Sequence, residues 1–293
     1  MKSLFLILNP SAGTRQGRRF LPDIISVFTR AGYLCSVYIT EKRGDAVSFA
    51  RSCAGKTDLV VACGGDGTLN EVITGLQLGG HKTPLGYIPC GSTNDFANGL
   101  GISTLPLIAA EAIVAGQPRP LDVGLFLPDR YFSYTASFGA FTSVSWSTPQ
   151  NVKNVLGHAA YILEGIRSLA DIRPIHMRII ADGRPYEEDY IFGAVCNSTS
   201  LGGVLKLEDS AVDTNDGRFE ALLIPFPPDI LALNRILTAL RTRNYEDESL
   251  RFLRASDFFF EGGPVTWTLD GEAAEGSSRT EIRNIHNAIT LVY

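Results

Sequence analysis

Cysteine is sparse and unpatterned in this chain. The five residues Cys35, Cys53, Cys63, Cys90 and Cys196 are odd in number and include no Cys-x-x-Cys spacing, which excludes a disulfide framework and a zinc site of the usual kind. They read as small buried hydrophobes in a reducing compartment. Apolar runs are short as well: none approaches the roughly 18 residues of a membrane-spanning helix, and Asn9-Pro10 interrupts the opening Leu4–Leu8 run too soon for a secretory signal. A cytoplasmic protein is expected, in contact with membranes only peripherally. Basic charge does not dominate, since 26 Lys and Arg against 31 Asp and Glu leave a net charge of −5. That balance argues against a nucleic-acid partner, while local patches facing an anionic membrane stay open. His81, His158, His176 and His286 share no metal-ligand spacing, and Asn197-Ser198-Thr199 matches a glycosylation sequon without any export signal. A P-loop with its Gly-Lys-Ser/Thr ending is missing too.

What the chain does have is enough apolar material for two cores, 45% hydrophobic and 10% aromatic over 293 residues. Residues 1–122 alternate strand and helix: strands near 3–8, 34–39, 58–63 and 85–88, helices near 16–31, 44–53, 68–78, 94–99 and 106–115. That rhythm predicts a doubly wound α/β domain. From Asp122 onward, runs such as Val123–Leu127, Tyr131–Phe138, His176–Ala181, Tyr190–Asn197, Arg218–Pro225, Ser256–Glu261 and Ile289–Val292 predict a β-rich domain over 123–293. Helices near 151–170 and 228–243 interrupt it.

Three loops carry the chemistry. Asp58–Cys63 is a buried-strand pattern, and Gly64-Gly65-Asp66-Gly67-Thr68-Leu69-Asn70-Glu71 follows it directly, opening a helix whose apolar face is Leu69, Val72, Ile73 and Leu76. Glycines at a strand-to-helix junction let backbone N–H groups approach an anion, and the helix N-terminus favours negative charge there. Asp66 beside a phosphate calls for a cation such as magnesium between them; the plain alternative is a glycine turn with Asp66 as a helix cap. Asn9-Pro10-Ser11-Ala12-Gly13 and Cys90-Gly91-Ser92-Thr93-Asn94-Asp95-Phe96-Ala97 follow two more strands, which places all three loops at the switch-point crevice of a parallel sheet.

These motifs, together with Trp267-Thr268-Leu269-Asp270-Gly271-Glu272 and in this order, resemble those of the bacterial diacylglycerol kinase and lipid kinase family. The Gly-Gly-Asp-Gly element is shared with NAD kinases, whereas the loop from Gly91 to Ala97 points to the lipid branch. The resemblance implies a Rossmann-like nucleotide domain, a β-sandwich-like second domain and an active site in the cleft, with the last strand returning to the first domain. It implies ATP held around Asn9, Ser11, Gly13, Thr40, Gly64, Gly65, Asp66, Gly67, Thr68, Glu71 and Ser92. Asp66, Asp95 and Asp122 would form an aspartate, water and magnesium network; on local sequence, Asp95 as a helix cap and Asp122 as a strand-start turn are equally good readings. Glu272 is the usual proton acceptor and Asp270 its close competitor, both projecting from a tight turn, with Ala273–Gly276 read as loop.

Asp213-Thr214-Asn215-Asp216-Gly217 fails the EF-hand pattern, because Gly217 at the sixth position leaves Val212 and Thr214 where ligands belong. Relatives hold a second, structural magnesium in this region, which makes Asp216 the matching residue, with a plain turn as the alternative. The implied partner is a membrane lipid hydroxyl, reached through apolar segments. Candidates are Phe138–Trp146, the 151–169 stretch with Val155, Leu156, Ala159, Ile162, Leu163 and Ile166, and Ile230–Arg243 with Arg235, Arg241 and Arg243. Core packing is the simpler reading of both helices, and a homodimer is compatible with the chain. An NAD kinase-like enzyme and a catalytically silent lipid-binding module are the alternative functions.

Overall fold

The computed structural model describes residues 1–140, 173–201, 205–206 and 212–293. The chain divides into two units, Met1–Val123 with Ile285–Tyr293, and Gly124–Asn284. The 151–169 stretch and most of Phe138–Trp146 lie outside the described residues.

The first unit contains β1 (Lys2–Leu8), α1 (Gln16–Arg19), α2 (Leu21–Arg30), β2 (Tyr33–Ile39), α3 (Asp45–Cys53), β3 (Leu59–Gly64), α4 (Asp66–Gly79), β4 (Leu85–Pro89), α5 (Asp95–Leu100), α6 (Pro106–Ala115) and the start of β5 (Pro118–Phe126). All four core strands are parallel, in the order β4-β3-β1-β2. Their side chains, such as Leu4, Leu6, Val60, Val61 and Ile88, are buried on both faces, as a strand covered by helices on either side requires. Helices α2 and α6 pack together, and so do α3 and α4. The chain leaves β1 for β2 and then crosses back to β3, so the loops after β1 and β3 flank the point where the winding reverses. The helix expected over 16–31 is two helices. Phe20 separates them, and Pro22 fits only the first turn of the second.

The second unit is built from β6 (Arg130–Phe132), β7 (Thr135–Gly139), β8 (Ile175–Ala181), β9 (Arg184–Cys196), β10 (Ser200–Leu201), β11 (Leu205–Lys206), β12 (Phe219–Pro225), α7 (Ile230–Thr242), β13 (Arg251–Ala255), β14 (Asp257–Gly262), β15 (Thr266–Leu269), β16 (Glu272–Glu275) and the first part of β17 (Arg279–Val292). Its strands are antiparallel. The first half of β9 pairs with β8, while its second half lies between β7 and β12, so one long strand serves both layers of the sandwich. One core gathers Phe138, Phe258, Phe260 and Trp267; the rings of Phe138, Phe260 and Trp267 meet edge-on or tilted, and Phe258 stacks on Phe260. A second core seats Ile236, Ala239 and Leu240 of α7 against Leu222 and Ile224.

Several sequence expectations change here. The run Tyr131–Phe138 is two strands, broken at Ser133 and Tyr134. Strand β9 begins six residues before Tyr190, and Asp182-Gly183, both at positive φ, turn the chain into it as a two-residue hairpin loop. Ala273–Glu275 belongs to β16 and is not loop, since it completes the ladder with β15.

Candidate active site

Three loops of the first unit converge backbone to backbone. A Cβ on Gly91 would lie 2.6 Å from the Cα of Gly65, and one on Gly13 would lie 2.5 Å from the carbonyl oxygen of Cys90. No side chain fits at these positions, so the approach itself demands glycine. Asn9 ties the loops together: its backbone N–H donates to the Cys63 carbonyl at 2.9 Å, its Nδ2 donates to Thr68 Oγ1 at 3.1 Å, and its Oδ1 accepts from the Ser11 amide at 3.0 Å. Thr40, at the end of β2, donates its amide to the Leu8 carbonyl at the same end of the sheet. Gly65 precedes α4 in extended geometry, and Asp66, Gly67 and Thr68 form the first helical turn. Amides in a first turn have no acceptor within the helix, which leaves them able to receive an anion. Ser92 stands exposed on the neighbouring loop.

The acidic residues here carry structural duties as well. Asp66 does not cap its own helix; its Oδ2 accepts from the Asp95 amide at 3.0 Å and its Oδ1 from the Phe96 amide at 3.3 Å, so it caps α5. That bridge fastens the Gly64–Thr68 loop to the Gly91–Asp95 loop. Beneath it, Tyr87 is buried, and burial together with the Asp66 charge pushes its phenol well above the ordinary range. Glu71 uses both carboxylate oxygens, accepting from Gly44 at 3.0 Å and Ala46 at 3.2 Å, and so caps α3. Asp122 is buried on β5, where its Oδ1 meets His286 Nδ1 at 2.9 Å and the Asn287 amide at 2.8 Å. Asp66 and Asp95 therefore meet at one junction, while the donors to Asp122 come from β17. No group of three or more His, Cys, Asp or Glu side chains that could share a metal occurs among the described residues.

In the second unit, Asp270 and Gly271 have φ of +48° and +85° and form the two-residue turn between β15 and β16. The two acids of this turn do not project together, contrary to the sequence expectation. Asp270 turns inward and is 7% exposed, whereas Glu272 is exposed. Asp270 Oδ2 accepts from both the amide and the hydroxyl of Ser133, and Oδ1 accepts from the amides of Tyr134 and Thr135 at 3.0 Å each. This carboxylate is what breaks the 131–138 run, because it takes the amides that a continuous strand would give to a neighbour. Burial pushes its acid up, and the four donors oppose that by stabilising the charged form. Glu272 faces Arg130 Nη2 at 3.9 Å, and Arg130 Nη1 donates to the Ala273 carbonyl at 2.9 Å.

Asp216 lies in an exposed turn. Its Oδ1 accepts from the Arg218 amide at 2.9 Å, and Asp213 Oδ1 accepts from the Asn215 amide at 3.1 Å. Asp213 and Asp216 thus each close a short side-chain turn.

The likeness to known proteins follows both units. The model of the diacylglycerol kinase catalytic domain matches residues 3–126, and that of the YegS C-terminal NAD kinase beta sandwich-like domain matches residues 137–292. A diacylglycerol kinase of Bacillus subtilis (strain 168) is 34% identical over 260 residues, which cover 87% of this chain and 84% of that protein. This chain belongs to the diacylglycerol kinase family of lipid kinases. A diacylglycerol kinase of Staphylococcus aureus (strain bovine RF122 / ET3-1) is 35% identical over 80% of this chain and 73% of its own length. A crystal structure from Bacillus anthracis str. Sterne superposes with a TM-score of 0.83 at 25% identity, over 100% of this chain and 95% of that one. The two-domain architecture, α/β followed by a sandwich, is thus the family's.

Within this diacylglycerol kinase fold, sequence reasoning missed Ser133, Tyr134 and Thr135 as donors to Asp270, Arg130 as the neighbour of Glu272, and His286 as the neighbour of Asp122. Asp-Gly between two strand patterns was the available signal for the turn, but nothing local announces which strand supplies the amides.

Proposed function

We propose that this protein transfers the γ-phosphoryl group of ATP to the hydroxyl of diacylglycerol or a closely related membrane lipid, with magnesium as the metal. Family membership supports the reaction class, and the observation that carries the reading is the backbone contact of Gly65 with Gly91 beside the first turn of α4. A Cβ would fill that cradle, so a phosphate group suits it, held by amides and the helix N-terminus. The donor set suits magnesium as well: Asp66 and Asp95 meet at one junction, where the Asp95 amide donates to Asp66 Oδ2, and this ion commonly takes one or two carboxylates while its other positions go to water and phosphate oxygens. When bound, it would spread the charge of the phosphate oxygens.

The residues divide the remaining work. Asn9, Ser11, Gly13, Thr40 and Thr68 shape the pocket edge, and Glu71 fixes the α3 end beside it. Asp270 has both oxygens engaged by four donors and acts as a positioning residue for the turn. Glu272, exposed on the next strand residue, accepts the hydroxyl proton, with the Arg130 guanidinium 3.9 Å away. For the lipid, α7 offers an apolar tip: Ile230 and Leu231 are 75% and 78% exposed although the helix is anchored by buried Ile236, Ala239 and Leu240. Exposed Arg241 and Arg243 at its other end suit an anionic membrane.

The deciding experiment incubates the protein with labelled ATP, magnesium and a mixed lipid extract, and identifies which species gains phosphate. Label on diacylglycerol or a related lipid alcohol, lost in Glu272→Gln, is the expected result. Label on NAD in the absence of lipid would replace this reading with an NAD kinase, and no label on any acceptor would leave a silent binding module.

A further inference from the structure

Cys63 ends the buried run of β3, and Cys90 follows β4. The strands are parallel neighbours with Cys63 opposite Ile88, so Cys90 lies two residues further along on the same face. Their sulfurs touch, with Sγ to Sγ 3.7 Å. Gly17 closes over the pair: a Cβ there would lie 2.9 Å from Cys63 Sγ and 3.3 Å from Cys90 Sγ. Each cysteine is followed immediately by a glycine of the anion cradle, Gly64 after Cys63 and Gly91 after Cys90. Two thiols in contact, on adjacent strands, directly under the loops proposed to hold nucleotide, are more than two small core residues need to be.

We propose that Cys63 and Cys90 form a reversible disulfide when the protein meets a peroxide, and that this bond closes the nucleotide cradle. The sulfurs need to approach by about 1.7 Å to reach bonding distance, which side-chain rotation and a small shift of the two strand ends can provide. In the first step the Cys90 sulfur, as thiolate, attacks one peroxide oxygen; the O–O bond breaks, and the released hydroxide takes up a proton and leaves as water. The Cys90 sulfenic acid that results is then attacked by Cys63 Sγ. The S–O bond breaks, and hydroxide leaves with the Cys63 proton as a second water. Two thiols lose two electrons and hydrogen peroxide gains them. Cys90 suits the first role because it keeps a 5% opening to solvent while Cys63 has none. The contact between the two thiols also holds the Cys90 thiol below its ordinary range, whereas the same contact and burial push Cys63 up. Reduction by a small dithiol reverses the bond.

The disulfide stands on thiol geometry alone; its effect on nucleotide rests on the proposed kinase reading. The two can be tested apart. After hydrogen peroxide treatment and alkylation of remaining thiols, tryptic peptides 57–82 and 83–130, each holding one of the two cysteines, should appear cross-linked with a loss of about 2 Da. Binding of a fluorescent ATP analogue, measured without lipid, should weaken roughly tenfold or more and recover with dithiothreitol. Cys63→Ala should bind nucleotide after peroxide as well as before, and Cys35→Ala should respond like the wild type. Alkylation of both thiols after peroxide treatment of the wild-type protein would overturn the disulfide, whatever the variants do. A mapped disulfide with unchanged nucleotide binding would overturn its regulatory effect, and failure of the reduced protein to bind nucleotide would count against the kinase reading instead.

Discussion

Asp270 is bound to the bend at Ser133 by four hydrogen bonds, two to Ser133 itself and one each to Tyr134 and Thr135. Glu272, two residues on, is exposed and faces Arg130 Nη2 at 3.9 Å. The pair therefore separates by measurement. Asp270→Ala should destabilise the protein by roughly 3 kcal/mol or more, because it strands buried amides without acceptors. Glu272→Gln should stay within about 0.5 kcal/mol of the wild type and lose roughly 10²- to 10⁴-fold in lipid phosphorylation. Denaturant titration alongside a phosphorylation assay reads both, and wild-type turnover by Glu272→Gln would remove it as the base.

Asp66 caps α5 and is proposed to serve the metal, so its variants should separate two effects. Asp66→Ala should cost about 1 kcal/mol through the lost cap and abolish phosphorylation. Asp66→Asn keeps one acceptor oxygen and should recover part of that stability without recovering activity. Urea midpoints and magnesium-supplied turnover give the comparison; an active Asp66→Asn would refute a metal role for this residue.

Glu220 is buried at 1% exposure, with Arg254 Nε 3.2 Å from one oxygen. Burial pushes its acid up to about 7, against an ordinary 4.5, with Asp216 and Asp213 adding to the rise and Arg254 opposing it. A carboxyl whose folded pKa is raised binds its proton more tightly in the folded state. Its stabilising contribution is therefore complete below about pH 4.5 and is lost as pH rises through 7. Glu220→Gln should remove this fall, giving a stability difference from the wild type that shifts by about 1–3 kcal/mol between pH 5 and pH 8. Chemical unfolding at the two pH values checks it, and parallel pH profiles for variant and wild type would contradict the assignment.

The exposed start of α7 leads to a membrane prediction. Leu231→Glu should reduce co-sedimentation with vesicles containing anionic lipid by roughly tenfold, through lost apolar insertion and added charge repulsion, without changing stability by more than about 0.5 kcal/mol. Arg241→Glu should weaken binding in a salt-dependent manner. Equal sedimentation of all three proteins would remove α7 from the lipid contact.

The two halves of the molecule differ in how plainly their sequences speak. In the first unit the central strands β3 and β4 are apolar and buried from end to end, because helices cover both faces, and the runs at 59–64 and 85–89 stand out against their polar surroundings. Glycine and small polar residues then mark each loop. In the second unit, strands with one wet face hide among charges: β9 carries Glu187, Glu188 and Asp189 through its first half, and β17 alternates Arg279, Glu281 and Arg283 with buried partners. The site shows the same contrast. A close backbone approach at Gly65 was readable because glycine is itself the signal. The inward turn of Asp270 was not, since its donors lie more than 130 residues away in the chain.

The nine residues Ile285–Tyr293 belong with Met1–Val123, where Leu291 and Val292 pair with Leu85 and Gly86 and the Ala288 carbonyl accepts from Gln77 Nε2. During synthesis the first unit must therefore wait for residues 285–293 before its sheet gains this parallel neighbour of β4. Ribosome-bound chains stopped before residue 285 should hold this unit unfinished and open to proteases, however early its first 123 residues emerge.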